Sequence, residues 1–196
     1  MTVKLLHSTP LSLADKAIGK CWDKQKEEVD CDRMYRVGNK FKHSSTLEHI
    51  NYTFDIDGIS RACLQELARH RMASMSVKST RYTLKELKDA PPESLLSFLV
   101  LTGNKFVDEH VNETVLMDIQ DELNRGTSND IVKYMLPEAY KTSLVWTINM
   151  RSLQNFLSLR TDKAALWEIR KLARHVYSQV PDDHAFMLEE FVKNEQ

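Results

Sequence analysis

The run Asn51-Tyr-Thr-Phe-Asp-Ile-Asp57 constrains the fold more than any other stretch. Tyr52, Phe54 and Ile56 alternate with Asn51, Thr53, Asp55 and Asp57, the period of a strand with one buried face. Gly58 stands where the chain would turn. Ser143–Asn149 is a second strand, nearly continuous in apolar and β-branched residues, and reads as central in its sheet. Val3–His7 reads as a short strand before the breaker Thr9-Pro10, and Arg81–Thr83 as a short edge strand. The remaining periodic segments are helical. Leu11–Lys24 puts Leu11, Ala14, Ile18, Cys21 and Trp22 on one face, and Ile59–Arg69 buries Ile59, Ala62, Cys63 and Leu67. Pro91-Pro92-Glu93 opens a helical pattern running through Leu95, Leu99, Phe106, Val111, Val115, Ile119 and Leu123. Asp130–Met135, Arg151–Leu159, Ala164–Val180 and Asp182–Lys193 follow. The charged segment Lys24–Lys40 mixes helix and loop, with a break at Gly38-Asn39. The expected class is α+β: a helix-rich single domain over residues 1–196 with a small, mainly antiparallel sheet.

Five Gly and five Pro among 196 residues suit long helices with few tight turns. Lys and Arg number 27 against 28 Asp and Glu, so the whole molecule has no electrostatic pull toward nucleic acid or a membrane. Cys21, Cys31 and Cys63 have no metal-type spacing, and an odd count suits a reducing, cytoplasmic setting. The opening Met1-Thr-Val-Lys-Leu-Leu-His7 lacks the apolar core of a signal peptide. The most apolar window, Leu95–Leu101, is too short to span a bilayer.

Against this neutral background, Arg69, Arg71, Lys78 and Arg81 concentrate positive charge, with His70 among them and no acid from Arg69 to Arg81. Ser74, Ser76, Ser79 and Thr80 fill the gaps. Guanidinium forks with hydroxyls are what a phosphate site needs. On charge alone, a solvated basic helix end fits equally well.

Two further groups carry chemistry. In His43-Ser-Ser-Thr-Leu-Glu48-His49 the two histidines and Glu48 suggest a metal, but a spacing of six does not align two ligands on one helix face. In Asn149-Met-Arg151-Ser-Leu-Gln-Asn155, Arg151 and Asn155 are four apart and share one side of a helix that ends near Arg160. Asn and Arg at a strand-to-helix junction are placed to bind anions and amides.

Arg69-His70-Arg71, seven residues, then Ser79 and Arg81-Tyr82 resembles the signature of the flavin-dependent thymidylate synthases. The His43–His49 run before a strand and the Asn-x-Arg-(x)3-Asn-(x)4-Arg pattern of Asn149, Arg151, Asn155 and Arg160 resemble the same family. Together the three cover roughly residues 43–82 and 130–170, in the family's order. The resemblance implies reductive methylation of dUMP to dTMP, with methylene-tetrahydrofolate as carbon donor, FAD as cofactor and NADPH as reductant. It implies that His43, Ser45, Glu48, Arg69, His70, Arg71, Met72, Asn149, Arg151 and Asn155 hold FAD. It also implies that Glu66, Arg69, Val77, Lys78, Ser79, Arg81, Lys133 and Arg160 receive dUMP, with Arg160 catalytic at the uracil ring. A homotetramer with sites shared between subunits is implied too.

Three positions depart from the family pattern. Glu66 stands where the family tends to have Gln, and a carboxylate repels a phosphate. Lys133 stands where Arg is frequent; lysine neutralises a phosphate without the two-pronged geometry. Cys21 takes a place near flavin where Ser is found. Ser79 could be a nucleophile, but no base for it is visible and an unactivated serine is weak, so binding is its expected role. Two other readings compete: a nucleic-acid-binding module using Arg69–Arg81, and a metal-dependent nucleotide hydrolase using His43, Glu48 and His49.

Overall fold

The computed structural model describes residues 1–23 and 28–193. Lys24, at the expected end of the first helix, lies outside them. Four strands, β1 (Thr2–Ser8), β2 (Asn51–Ser60), β3 (Ala73–Val77) and β4 (Lys141–Asn149), form one antiparallel sheet in the order β1-β2-β4-β3. The α-helices are α1 (Leu11–Cys21), α2 (Cys31–Tyr35), α3 (Arg61–Ala68), α4 (Thr80–Thr83), α5 (Lys85–Lys88), α6 (Thr114–Asn124), α7 (Asn129–Val132), α8 (Met150–Arg160) and α9 (Trp167–Ser178). The helix-rich α+β class holds, and β4 is internal to the sheet as its apolar run requires.

The chain divides into two compact units. One comprises Met1–Ile56, Leu67–Ser76 and Val145–Gln196; the other comprises Asp57–Glu66 and Val77–Leu144. In the first unit the alternation of β2 buries Tyr52, Phe54 and Ile56 completely. Phe54 lies 6.2 Å from Trp146 between ring centroids, and Trp146 meets Phe156 of α8 edge-on at 5.0 Å. This aromatic chain locks α8 onto the sheet. Gly38 is no break: it sits inside a π-helical turn, Arg36–Lys40. A Cβ there would stand 3.1 Å from the Leu47 methyls and from the Met187 methyl, so any side chain would require those methyls to shift by a few tenths of an ångström.

In the second unit Leu84, Leu87, Leu95, Leu99, Leu116, Ile119, Leu123, Val132 and Tyr140 form a buried cluster. The expected apolar stripe holds at Leu95 and Leu99 but fails in its middle, where Phe106 is 65% and Val111 43% exposed. Phe106–Glu113 is π-helical, and the wider turn rotates Asp108 and Asn112 inward instead. Asp108 is satisfied there, accepting from the Thr102 and Gly103 backbone N–H groups at 2.9 and 3.0 Å.

Other expectations are corrected. β2 does not end at Gly58; with φ of 72° that glycine bends the strand, which continues to Ser60. Arg81–Thr83 is helical because the Ser79 carbonyl accepts from the N–H groups of Tyr82 and Thr83. The strand of that region is Ala73–Val77. Cys21 and Trp22 are exposed rather than packed on the α1 face. Pro92–Phe98, Asp182–Met187 and Glu189–Phe191 are 3-10 turns, not α-helices.

Candidate active site

Strand β4 ends at Asn149, whose Oδ1 accepts from the Ser152 N–H at 2.8 Å and caps α8. With that oxygen engaged, Nδ2 is the Asn149 donor available to a ligand. Arg151 and Asn155 are one helical turn apart, and Arg160 closes the helix, where a cation suits the dipole. These four side chains line a cleft of about 620 Å³ together with Glu48, Arg69, His70, Arg71 and Met72. Three segments distant in sequence therefore meet in one place: the 3-10 turn Ser44–His49, the connection from α3 to β3, and α8.

Inside the cleft, Arg160 Nε donates to His70 Nε2 at 2.9 Å. That geometry requires an unprotonated Nε2, so the imidazole carries its proton on Nδ1. His70 is 9% exposed and meets Phe156 edge-on at 5.0 Å, which ties its orientation to the aromatic core. Arg151 Nη1 pairs with Glu48 Oε1 at 2.6 Å. Four arginines face one glutamate among the lining residues, so the cleft is cationic. Exposed Met72 and Leu159 give it apolar ground.

A second cavity, about 260 Å³, lies within the other unit. Val77, Lys78, Ser79, Arg81 and Lys133 line it, along with Arg61, Thr80, Tyr140 and Thr142. Lys78 pairs with Glu86 at 2.7 Å and Arg81 with Asp130 at 2.8 Å. The Asn129 amide donates to the Arg81 carbonyl at 2.8 Å, tying the start of α7 to α4. Burial pushes the Tyr140 phenol up to about 12, so it remains a neutral hydroxyl.

His43 and Ser45 do not join the cleft. They line a third cavity, about 210 Å³, with Cys21, Trp22 and Thr46. Glu66, half-buried on α3, lines none of the three. His43, Glu48 and His49 do not converge, and among the described residues no group of three or more His, Cys, Asp or Glu could hold a metal. No helix among the described residues is long and apolar enough to cross a membrane.

Sequence reasoning passed over Arg61, Tyr140, Thr142, Ser152 and Leu159. Arg61 did carry a signal: a cation in the first turn of α3 opposes the helix dipole, with no acid there to offset it.

Two cation-lined cavities on an α+β scaffold define a protein suited to phosphorylated ligands. Comparison with known proteins narrows the class. The family model described as thymidylate synthase complementing protein matches residues 4–184. Flavin-dependent thymidylate synthase of Campylobacter jejuni strain RM1221 is 52% identical over 200 residues, covering 96% of each chain. The enzyme of the same name from Wolinella succinogenes is 50% identical over 198 residues, covering 95% of this chain and 97% of its own. The crystal structure of thymidylate synthase X from Helicobacter pylori with FAD and dUMP superposes with a TM-score of 0.93 at 42% identity. That match covers 99% of this chain and 100% of the other. The chain belongs to the flavin-dependent thymidylate synthase family.

Proposed function

We propose that this chain makes dTMP from dUMP by reductive methylation, with FAD as bound cofactor, methylene-tetrahydrofolate as carbon donor and NADPH as reductant. The single observation that carries the reading is the convergence of Glu48, Arg69, His70, Arg71, Met72, Asn149, Arg151, Asn155 and Arg160 on one cleft. The donor set fits FAD. Guanidiniums match a diphosphate, the asparagine amides match ring carbonyls and nitrogens, and Met72 and Leu159 offer apolar contact to a flat ring. FAD, when bound, supplies the hydride chemistry.

The residues of the chain bind, orient and polarise. Arg160 addresses the uracil ring and stabilises negative charge that develops on its carbonyl side. His70 holds the Arg160 guanidinium at a set angle by accepting from its Nε. Asn149, clamped as the α8 cap, presents its amide without rotamer freedom. Ser79, Arg81 and Lys133 receive the nucleotide phosphate in the second cavity, where lysine and arginine charge is concentrated. Val77 and Lys78 line the same cavity and belong to the dUMP set.

The reading includes one functional domain over residues 1–196 in a cytoplasmic homotetramer. Each cavity carries only part of the expected residue set, with His43 and Ser45 in the third. Sites completed by another copy of the chain account for that division. Glu66 is then a residue that approaches dUMP in the assembled site.

The test is to load purified protein with excess FAD, desalt it and record the visible spectrum. Retained flavin absorbance, with dTMP formed only when NADPH, methylene-tetrahydrofolate and dUMP are all present, is expected. Loss of all flavin on desalting overturns the reading.

A further inference from the structure

We propose that Arg61 is a phosphate-binding residue of the second cavity, supplying the guanidinium fork that Lys133 lacks. The inference rests on dUMP being the ligand.

Arg61 opens α3 and lines the cavity beside Ser79, Arg81 and Lys133. The cavity gathers four cations: Arg61, Lys78, Arg81 and Lys133. Two are neutralised by the protein, Lys78 by Glu86 and Arg81 by Asp130. The Arg61 and Lys133 side chains have no ion pair among the described residues; Lys133 only stands 6.0 Å from the Tyr134 ring centroid. Arg61 goes further, because its Nε is buried without a hydrogen-bond partner among the described residues. A buried charged donor left unmatched is costly, and an anion in the cavity removes the cost.

The backbone at this helix end does not need that anion. The N–H groups of Arg61 and Ala62 already donate to the carbonyls of Tyr140 and Glu138, both at 3.1 Å, and the Cys63 N–H donates to Ser60 Oγ at 3.0 Å. What lacks a hydrogen-bond partner among the described residues is the side-chain Nε. Its charge sits in the first turn of α3, where the dipole disfavours a cation, and an anion beside it turns that conflict into attraction. Lysine at 133 gives point charge; Arg61 Nε and its terminal nitrogens give parallel donors matched to two phosphate oxygens. The Ser79 hydroxyl makes no capping bond to α4 and is available to the same group.

The experiment compares dUMP with deoxyuridine, which lacks only the phosphate, on FAD-loaded wild-type protein and on Arg61→Gln and Arg61→Lys. Calorimetry gives the affinities, and inorganic phosphate is titrated as a competitor. Arg61→Gln is expected to weaken dUMP roughly tenfold to a hundredfold, leaving deoxyuridine affinity and flavin content unchanged. Arg61→Lys recovers only part of the loss, and competition by inorganic phosphate weakens in both variants. A merely structural Arg61 would lower both affinities together and would not alter their ratio. If wild type prefers dUMP over deoxyuridine and Arg61→Gln keeps that preference, the role of Arg61 is refuted while the function stands. If wild-type protein binds flavin but does not distinguish the two nucleosides, the phosphate site itself is wrong and Arg61 falls with it. Should Arg61→Gln not fold, the Arg61→Lys ratio decides alone: an unchanged preference for dUMP over deoxyuridine refutes the guanidinium role.

Discussion

Arg160 and His70 are joined by a 2.9 Å hydrogen bond from Nε to Nε2, although 90 residues separate them. The bond spends the one ring nitrogen that could accept and holds the guanidinium at its Nε. Phe156 fixes the ring in turn, by edge contact at 5.0 Å. The sheet's aromatic core thereby sets the direction of the cation that we propose faces the uracil ring.

Removing the cation and removing its support have different consequences. Arg160→Ala should reduce dTMP turnover roughly a hundredfold to a thousandfold while flavin remains bound, because one charge-stabilising donor is lost. His70→Phe keeps an aromatic edge on Phe156 but offers no acceptor. A smaller loss is expected, roughly tenfold in kcat/KM, since Arg160 survives with more freedom. Steady-state kinetics of both variants check this. Near-normal turnover of Arg160→Ala at saturating dUMP would assign its role to another residue.

Glu48 and Arg151 form a short ion pair, but their side chains are 44% and 56% exposed. Such a pair contributes at most about 1 kcal/mol to stability. Arg151→Ala should therefore change the unfolding free energy by no more than about that much. FAD affinity, read by quenching of flavin fluorescence, should fall roughly tenfold or more, because a charged contact is lost. A large stability loss with unchanged FAD affinity would make the pair structural.

The cleft was legible in the sequence because each contributor is a local pattern. An Arg-His-Arg triplet, an i,i+4 pair on one helix and an Asn at a strand end need no knowledge of distant contacts. What those patterns did not disclose is which cavity a residue enters. His43 and Ser45 sit within five residues of Glu48, yet they face a different hollow. Arg61 stayed hidden because its burial is a tertiary fact: Tyr140 and Thr142, far along the chain, line the same cavity, and its Nε is buried. The apolar stripe through Phe106 and Val111 misled because it assumed 3.6 residues per turn where the chain is π-helical.

His184 is buried and Tyr52 Oη lies 2.8 Å from its Nδ1. Burial also holds Tyr52 as a neutral phenol, so it donates and the ring accepts. Burial pushes the His184 pKa below its ordinary 6.5, with Asp183 opposing weakly. As pH falls through 6.5 the unfolded chain binds the proton first, so this group's contribution, present above that pH, is progressively lost below it. Urea midpoints should be flat for this group above about pH 7 and should decline on the acid side. His184→Gln should show a shallower acid decline, and an identical slope would exclude His184 as the source.

Ser79 offers the sharpest test of chemistry against binding. No His, Asp or Glu among the described residues lines its cavity, and the Tyr140 phenol, held up at about 12, is no base near neutrality. A serine hydroxyl without a base to take its proton is a poor nucleophile. The same hydroxyl is well suited to donate to a phosphate beside Arg81 and Lys133. Ser79→Ala should thus raise the KM for dUMP roughly tenfold while turnover at saturation stays within about a factor of ten of wild type. Kinetics are to be paired with mass spectrometry of acid-quenched enzyme. A folded, flavin-loaded Ser79→Ala protein that binds dUMP but makes no dTMP, or a serine–nucleotide adduct in the wild type, would establish Ser79 as the nucleophile.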